Sequence, residues 1–117
     1  VKAIVKGKLY DTETAELIHR HEHWLPEYRD QRGGVQQVEG NYAQTLYLSP
    51  NGTFFYVYER PTGNDLHVLD ETDLLYGRRS WLGDEKMDDV DRAICWLEKH
   101  HGSEVILQRW PERVWAG

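Results

Sequence analysis

The opening stretch, VKAIVKGKLY, sets Val1, Ala3 and Val5 against Lys2 and Lys6. That period of two predicts a first strand ending before Gly7. In DTETAELIHRHEHWLP the apolar positions Ala15, Leu17, Ile18 and Leu25, with His21 between them, fall at helical spacing. Asp11 or Thr12 is able to cap such a helix and Pro26 to stop it, so residues 12–25 are read as helical, with an edge strand as the alternative. EYRDQRGGVQQVEG, 27–40, has paired glycines and no period, and is expected to be a loop. YAQTLYLSPNGTFFYVYE carries two β-rich runs around Ser49-Pro50-Asn51-Gly52. Pro50 suits the first bend and Gly52 a positive φ, which predicts an antiparallel hairpin of about 42–49 with 53–59.

With Pro50, Asn51 and Gly52 as the loop, Leu46 and Leu48 share a face with Phe54 and Tyr56, and Tyr47 shares the other with Phe55 and Val57. One face then packs on a helix; the other is covered by the long loop or offered to a partner. LHVL, 66–69, reads as a third strand. Met87, Val90, Ile94 and Leu97 recur at steps of three and four, predicting a helix of about 85–101 that closes at Gly102, with acids at its start and Asp88 four before Arg92. Trp96 falls beside the apolar stripe and is expected half covered. Ser103 is placed to cap a last short helix, EVILQRW, with an edge strand as its alternative. The fold class that follows is α+β: a small antiparallel sheet centred on the hairpin and packed by the 85–101 helix.

Composition narrows the possibilities. A chain of 117 residues fits a single domain, 1–117, able to bury one core without a structural metal. Five Trp and seven Tyr mean that large amphipathic rings build much of that core and supply an interface. A lone cysteine, Cys95, excludes an intrachain disulfide, and neither a membrane-length apolar run nor a leader is visible, so a cytoplasmic location is expected. The net charge of −6 disfavours direct nucleic-acid binding, although Lys2, Lys6 and Lys8 at the start and Arg109 and Arg113 at the end leave room for a local basic patch.

Sites of chemistry are few. HRHEHW sets His19, His21 and His23 at alternate positions. On a helix His19 and His23 would share a face, but the zinc-protease pattern wants Glu where Arg20 stands; on a strand all three would line one side, a better ligand set. The local reading is helical, so these histidines are assigned to solvent or to a helix dipole, and no metal or other cofactor is expected. Cys95 lies inside the predicted helix with no cation beside it in sequence, and reads as an inert thiol. The acid pairs Asp70-Glu71 and Asp88-Asp89 read as solvated carboxylates, and Gly33-Gly34 lacks the context of a phosphate cradle. No catalytic residue is assigned.

What stands out is acid with aromatic. Asp65, Asp70, Glu71, Asp73, Asp84, Glu85, Asp88, Asp89 and Asp91 intersperse with Tyr76, Trp81 and Trp96. Carboxylates so spaced mimic phosphates and the rings offer anchors, which makes Trp81, Asp84, Glu85, Asp88, Asp89, Trp96 and the hairpin's Tyr58 candidate partner-binding residues.

KGKLYDTETAELI, then TLYLSPNGTFFYVYE, then an acidic helix with AICWLEKHHG, resembles a group of small phage and prophage proteins with a Lys-x-Tyr-Asp-Thr-Glu-Thr-Ala start, a Gly-x-Phe-Phe hairpin and a closing Trp-containing helix. The resemblance spans Lys6 to Gly102 with gaps. The stretch from Pro26 to Tyr42 and the tail after Trp110 depart from it. It implies a non-enzymatic mobile-element protein that binds and inhibits a host protein or ribonucleoprotein of a defence system, in the manner of anti-CRISPR proteins. A metal-binding module or hydrolase using His19, His21 and His23, and a phage regulatory or packaging accessory acting through the basic ends, are the alternatives.

Overall fold

The computed structural model describes residues 1–69 and 88–115. Two short strands, β1 (Lys2–Val5) and β2 (Lys8–Asp11), form an N-terminal hairpin. Its turn residues Lys6 and Gly7 both have positive φ, 51° and 78°, as a two-residue turn of the hand that suits twisted strands requires. The strand expected before Gly7 is present and continues into this second one. Asp11 then organises the next turn: its carboxylate accepts the Glu13 N–H at 2.9 Å, and its carbonyl accepts the Ala15 N–H at 3.2 Å. In the Tyr10–Ala15 string Tyr10 thus fills a core and the residues after it shape a turn.

The stretch 12–25 is not a helix. Residues 16–25 form β3 (Glu16–Leu25), the longest of the described strands and an edge of its sheet, while Thr12–Thr14, the run offered as prolonging an edge strand, form a turn. From His19 onward the half-buried positions are His19, His21, His23 and Leu25, alternating with exposed Arg20, Glu22 and Trp24. This period of two is masked in sequence because imidazoles occupy the inward positions that an apolar count leaves blank. A bulge at Ile18, between Leu17 and His19, adds one residue and lets Ile18 join the core.

The predicted loop 27–40 contains a small ribbon, β4 (Tyr28–Arg29) with β5 (Val35–Gln37). The Asp30 carboxylate locks its turn by accepting the N–H groups of Arg32 (2.9 Å) and Gly34 (2.8 Å) and the Gln36 amide (2.9 Å). β6 (Gly40–Leu48) and β7 (Phe54–Arg60) are the predicted central hairpin, and β8 (Gly63–Val68) is the third strand expected nearby. Ser49 and Thr53 close the three-residue loop through Ser49 N–H to Thr53 O at 2.9 Å, with Gly52 at φ +87°. Leu46 faces Tyr56, Tyr47 faces Phe55 and Leu48 faces Phe54, the predicted register. The sheet runs β3-β6-β7-β8, antiparallel throughout.

Each sheet face carries its own core. Against one lie α1 (Asp89–Lys99) and α2 (Ser103–Arg109), so that Ile18, Leu46, Phe54 and Leu69 pack with Ala93, Ile94, Trp96, Leu97 and Ile106. Against the other the N-terminal hairpin places Tyr10 on Phe55 and Val57, with Val5, Ala15 and Tyr47 around them. The second face is therefore covered by β1 and β2 and not by the long loop. The fold is α+β, a small antiparallel sheet packed by a helix. Asp88 caps α1, accepting the Asp91 N–H at 2.9 Å. His101 takes the positive φ after the helix, 62°, while Gly102, the N-cap of α2, is needed for room, since a Cβ there would sit 2.6 Å from Leu97 Cδ2. A single 3-10 turn, Pro111–Arg113, follows. No helix among the described residues is long and apolar enough to cross a membrane.

Candidate functional site

On the helix-covered face, strand geometry gathers the rings. β3 presents His19, His21 and His23, the end of α1 brings Trp96, His100 and His101, and β6, β7 and β8 contribute Tyr42, Tyr56, Tyr58 and His67. All six histidines of the chain stack on or abut another of these rings. Trp96 and His100 lie face to face at 4.0 Å and 17°, His21 meets His23 at 5.3 Å and His101 at 4.8 Å, and Tyr56 lies between Trp96 (5.8 Å) and His67 (5.1 Å).

Two of these imidazoles fasten the helix to the sheet. A carbonyl only accepts, so His19 Nε2 donates to His100 O at 2.9 Å and His100 Nδ1 donates to Trp96 O at 2.7 Å. Both bonds serve carbonyls at the C-terminal end of α1, where partial negative charge collects. Burial lowers the His100 pKa below the ordinary value, with His21, Lys99 and His19 adding to it, against the opposing pull of the Trp96 carbonyl. Partial burial also lowers that of His21, helped by His101, His23 and His19.

Between β-sheet and α1 lies a cleft of about 480 Å³, walled by His21, His23, Tyr56, Tyr58, Trp96 and His100, with Cys95 buried at its edge. Among the described residues the buried nitrogens Trp96 Nε1 and His23 Nδ1 have no hydrogen-bond partner. The His21 and His23 rings lie near parallel, 27° apart. Among the described residues no group of three His, Cys, Asp or Glu is arranged to hold a metal ion.

The described candidate partner-binding residues, Tyr58, Asp88, Asp89 and Trp96, have different surroundings. Trp81, Asp84 and Glu85 lie outside the described residues. Trp96, expected half covered, is 6% exposed: its ring is clamped between the sheet and His100, so it is a core residue and a cleft wall and not a free anchor. Asp88 caps α1 and receives both arms of the Arg113 guanidinium at 3.1 Å. Burial pushes its carboxyl pKa up, but the Asp91 N–H and Arg113 together outweigh this and hold it below the ordinary value. Asp89 pairs with Arg92 at 2.8 Å, the i,i+3 contact replacing the predicted Asp88–Arg92 one. Tyr58 is half buried, edge-on to Tyr42 and under the Arg60 guanidinium.

Among the described large apolar residues the two most exposed were not singled out in sequence. Ile4 (75%) and Leu9 (62%) are directly opposed in the β1–β2 register and so share the hairpin's outward face. A large apolar cross-strand pair facing solvent is a contact surface in waiting. Its only sequence signal was the apolar Ile4 out of phase with Val1, Ala3 and Val5, which gains meaning once Leu9 is known to lie across from it. Lys2, Lys6 and Lys8 surround the pair in sequence, Lys2 lying 3.9 Å from Asp11. Trp24 (55%) and Leu17 (53%) are exposed along β3, on the face away from the helices.

Comparison of the chain with protein-family models, with curated proteins and with solved structures finds no match to it.

Proposed function

We propose that this protein works by binding another protein, and that it is a mobile-element inhibitor of a host defence complex, as its resemblance to small phage proteins implies. The observation that carries the binding reading is the Ile4–Leu9 pair on the outer face of the N-terminal hairpin. The hairpin's inner face is already used by Tyr10 and Val5 in the core, so the outer apolar pair is not needed for folding and is free to be covered by a partner. The lysines beside it favour an acidic rim on the target. Asp88 and Asp89, tied to Arg113 and Arg92, contribute charge at the start of α1, where Asp89 and Arg92 line a pocket together with Lys6 and Lys8 of the hairpin, and Asp84, Glu85, Asp88 and Asp89 remain the proposed mimic of nucleic-acid phosphates.

The test uses bacteria that carry an active defence system and express the chain. Plaque formation by the targeted phage should rise with the wild-type protein and not with the folded Ile4→Glu, Leu9→Glu variant, and a defence component from nuclease-treated lysate should be retained by the first and not the second. Equal behaviour of the two, or no change in plaque formation against any defence system tried, removes the reading. The ring-walled cleft supports a second reading, a small planar ligand with an acceptor oxygen for the unpartnered Trp96 nitrogen. A ligand that raises Tm in the wild type but not in Tyr58→Ala would establish it.

A further inference from the structure

We propose that β3 is a homodimerisation edge, through which two copies of this chain pair antiparallel about a two-fold axis at His21, joining their sheets into one. β3 is ten residues long and ends the sheet. Among the described residues nothing pairs with its outer backbone edge. An open edge of this length is a template for another strand unless its side chains forbid it.

The side chains choose one register. Arg20 and Glu22 project from the same, exposed face of β3. With His21 opposite His21 of the second copy, each Arg20 faces the second copy's Glu22, twice over, and His19 faces His23. Sliding the pair by two residues sets Arg20 against Arg20 in one direction and Glu22 against Glu22 in the other, and directly opposed like charges are destabilising. The two charges that would blunt the edge against an arbitrary strand are therefore self-complementary in this single alignment. Within one chain Arg20 already reaches Glu22 at 2.7 Å and Glu59 at 2.7 Å, but its guanidinium has five N–H donors, and a directly opposed residue lies closer along a sheet than the next residue on the same face. The bulge at Ile18 limits pairing to His19 through His23. Beyond that window, exposed Leu17 of one copy and Trp24 of the other come together on the face that carries Arg20, again twice.

Sedimentation equilibrium of the full chain over a wide concentration range tests this at neutral pH. The wild type should dimerise reversibly, and Arg20→Glu or Glu22→Arg alone should weaken the dimer by on the order of tenfold or more, because each places like charges across both symmetric contacts. Mixed together the two variants should form a heterodimer, since every opposed pair is then of opposite sign. The doubly swapped protein should regain the homodimer. Glu22→Arg leaves the Arg20 contacts to Thr45 and Glu59 in place, so circular dichroism of that variant separates lost pairing from lost folding. A wild type that stays monomeric throughout, or single variants that dimerise as the wild type does, or a mixture that forms no heterodimer, overturns the proposal.

Discussion

His19, His21, His23, His100 and His101 are packed ring on ring or linked by hydrogen bonds at the seam between β3 and α1. The pKa values of His21 and His100 are lowered on folding, so the unfolded chain binds protons more readily than the folded one. Stability from these groups is complete above the unfolded value of 6.5 and is lost as pH falls from there through the folded values. Urea unfolding should accordingly give a lower free energy at pH 5.5 than at pH 7.5. His100→Asn, which offers an uncharged donor to the Trp96 carbonyl, should flatten that difference; an unchanged slope would assign the pH dependence to other groups.

At the scale of the element, the central hairpin was legible because its turn chemistry is local: Pro50 sets one φ and Gly52 supplies a positive one, whatever surrounds them. Replacing Gly52 by Ala should cost about 1–2 kcal/mol, measured by chemical denaturation, because the Cβ meets no neighbour and only the backbone strain at φ +87° remains. β3 was misread because the choice between helix and strand turned on what lay across from the histidines, and that is Leu46, Gln44 and Tyr42 of β6, far off in sequence. The β1–β2 turn was missed for a different reason: Lys6 holds a positive φ that a lysine seldom adopts and that its neighbours in the hairpin impose.

Across the whole molecule the sheet is held on both sides, by helices on one face and by the N-terminal hairpin on the other. Tyr10, 6% exposed and 5.4 Å from the Phe55 ring, is the hairpin's main anchor. Tyr10→Ala should cost about 3–5 kcal/mol, as an aromatic truncated in a core does, and should raise binding of a hydrophobic dye as Phe55 and Val57 lose cover. A stable variant with no added dye binding would show that the hairpin docks without it. Tyr10 to Ala15 thus fix how the hairpin turns and docks, while Ile4 and Leu9 stay on its exposed face.

The chain itself determined the elements whose signals lie within a few residues of one another: the 42–59 hairpin, the stripe of Val90, Ile94 and Leu97, and the α+β class they imply. It also marked His19, His21, His23 and Trp96 as worth following. Only the tertiary structure decided what those residues do, since strand pairing sets which face each imidazole takes and helix packing sets whether Trp96 meets water. Burial and opposition are properties of pairs distant in sequence, and a single chain read in order contains the members of each pair without the fold that brings them together.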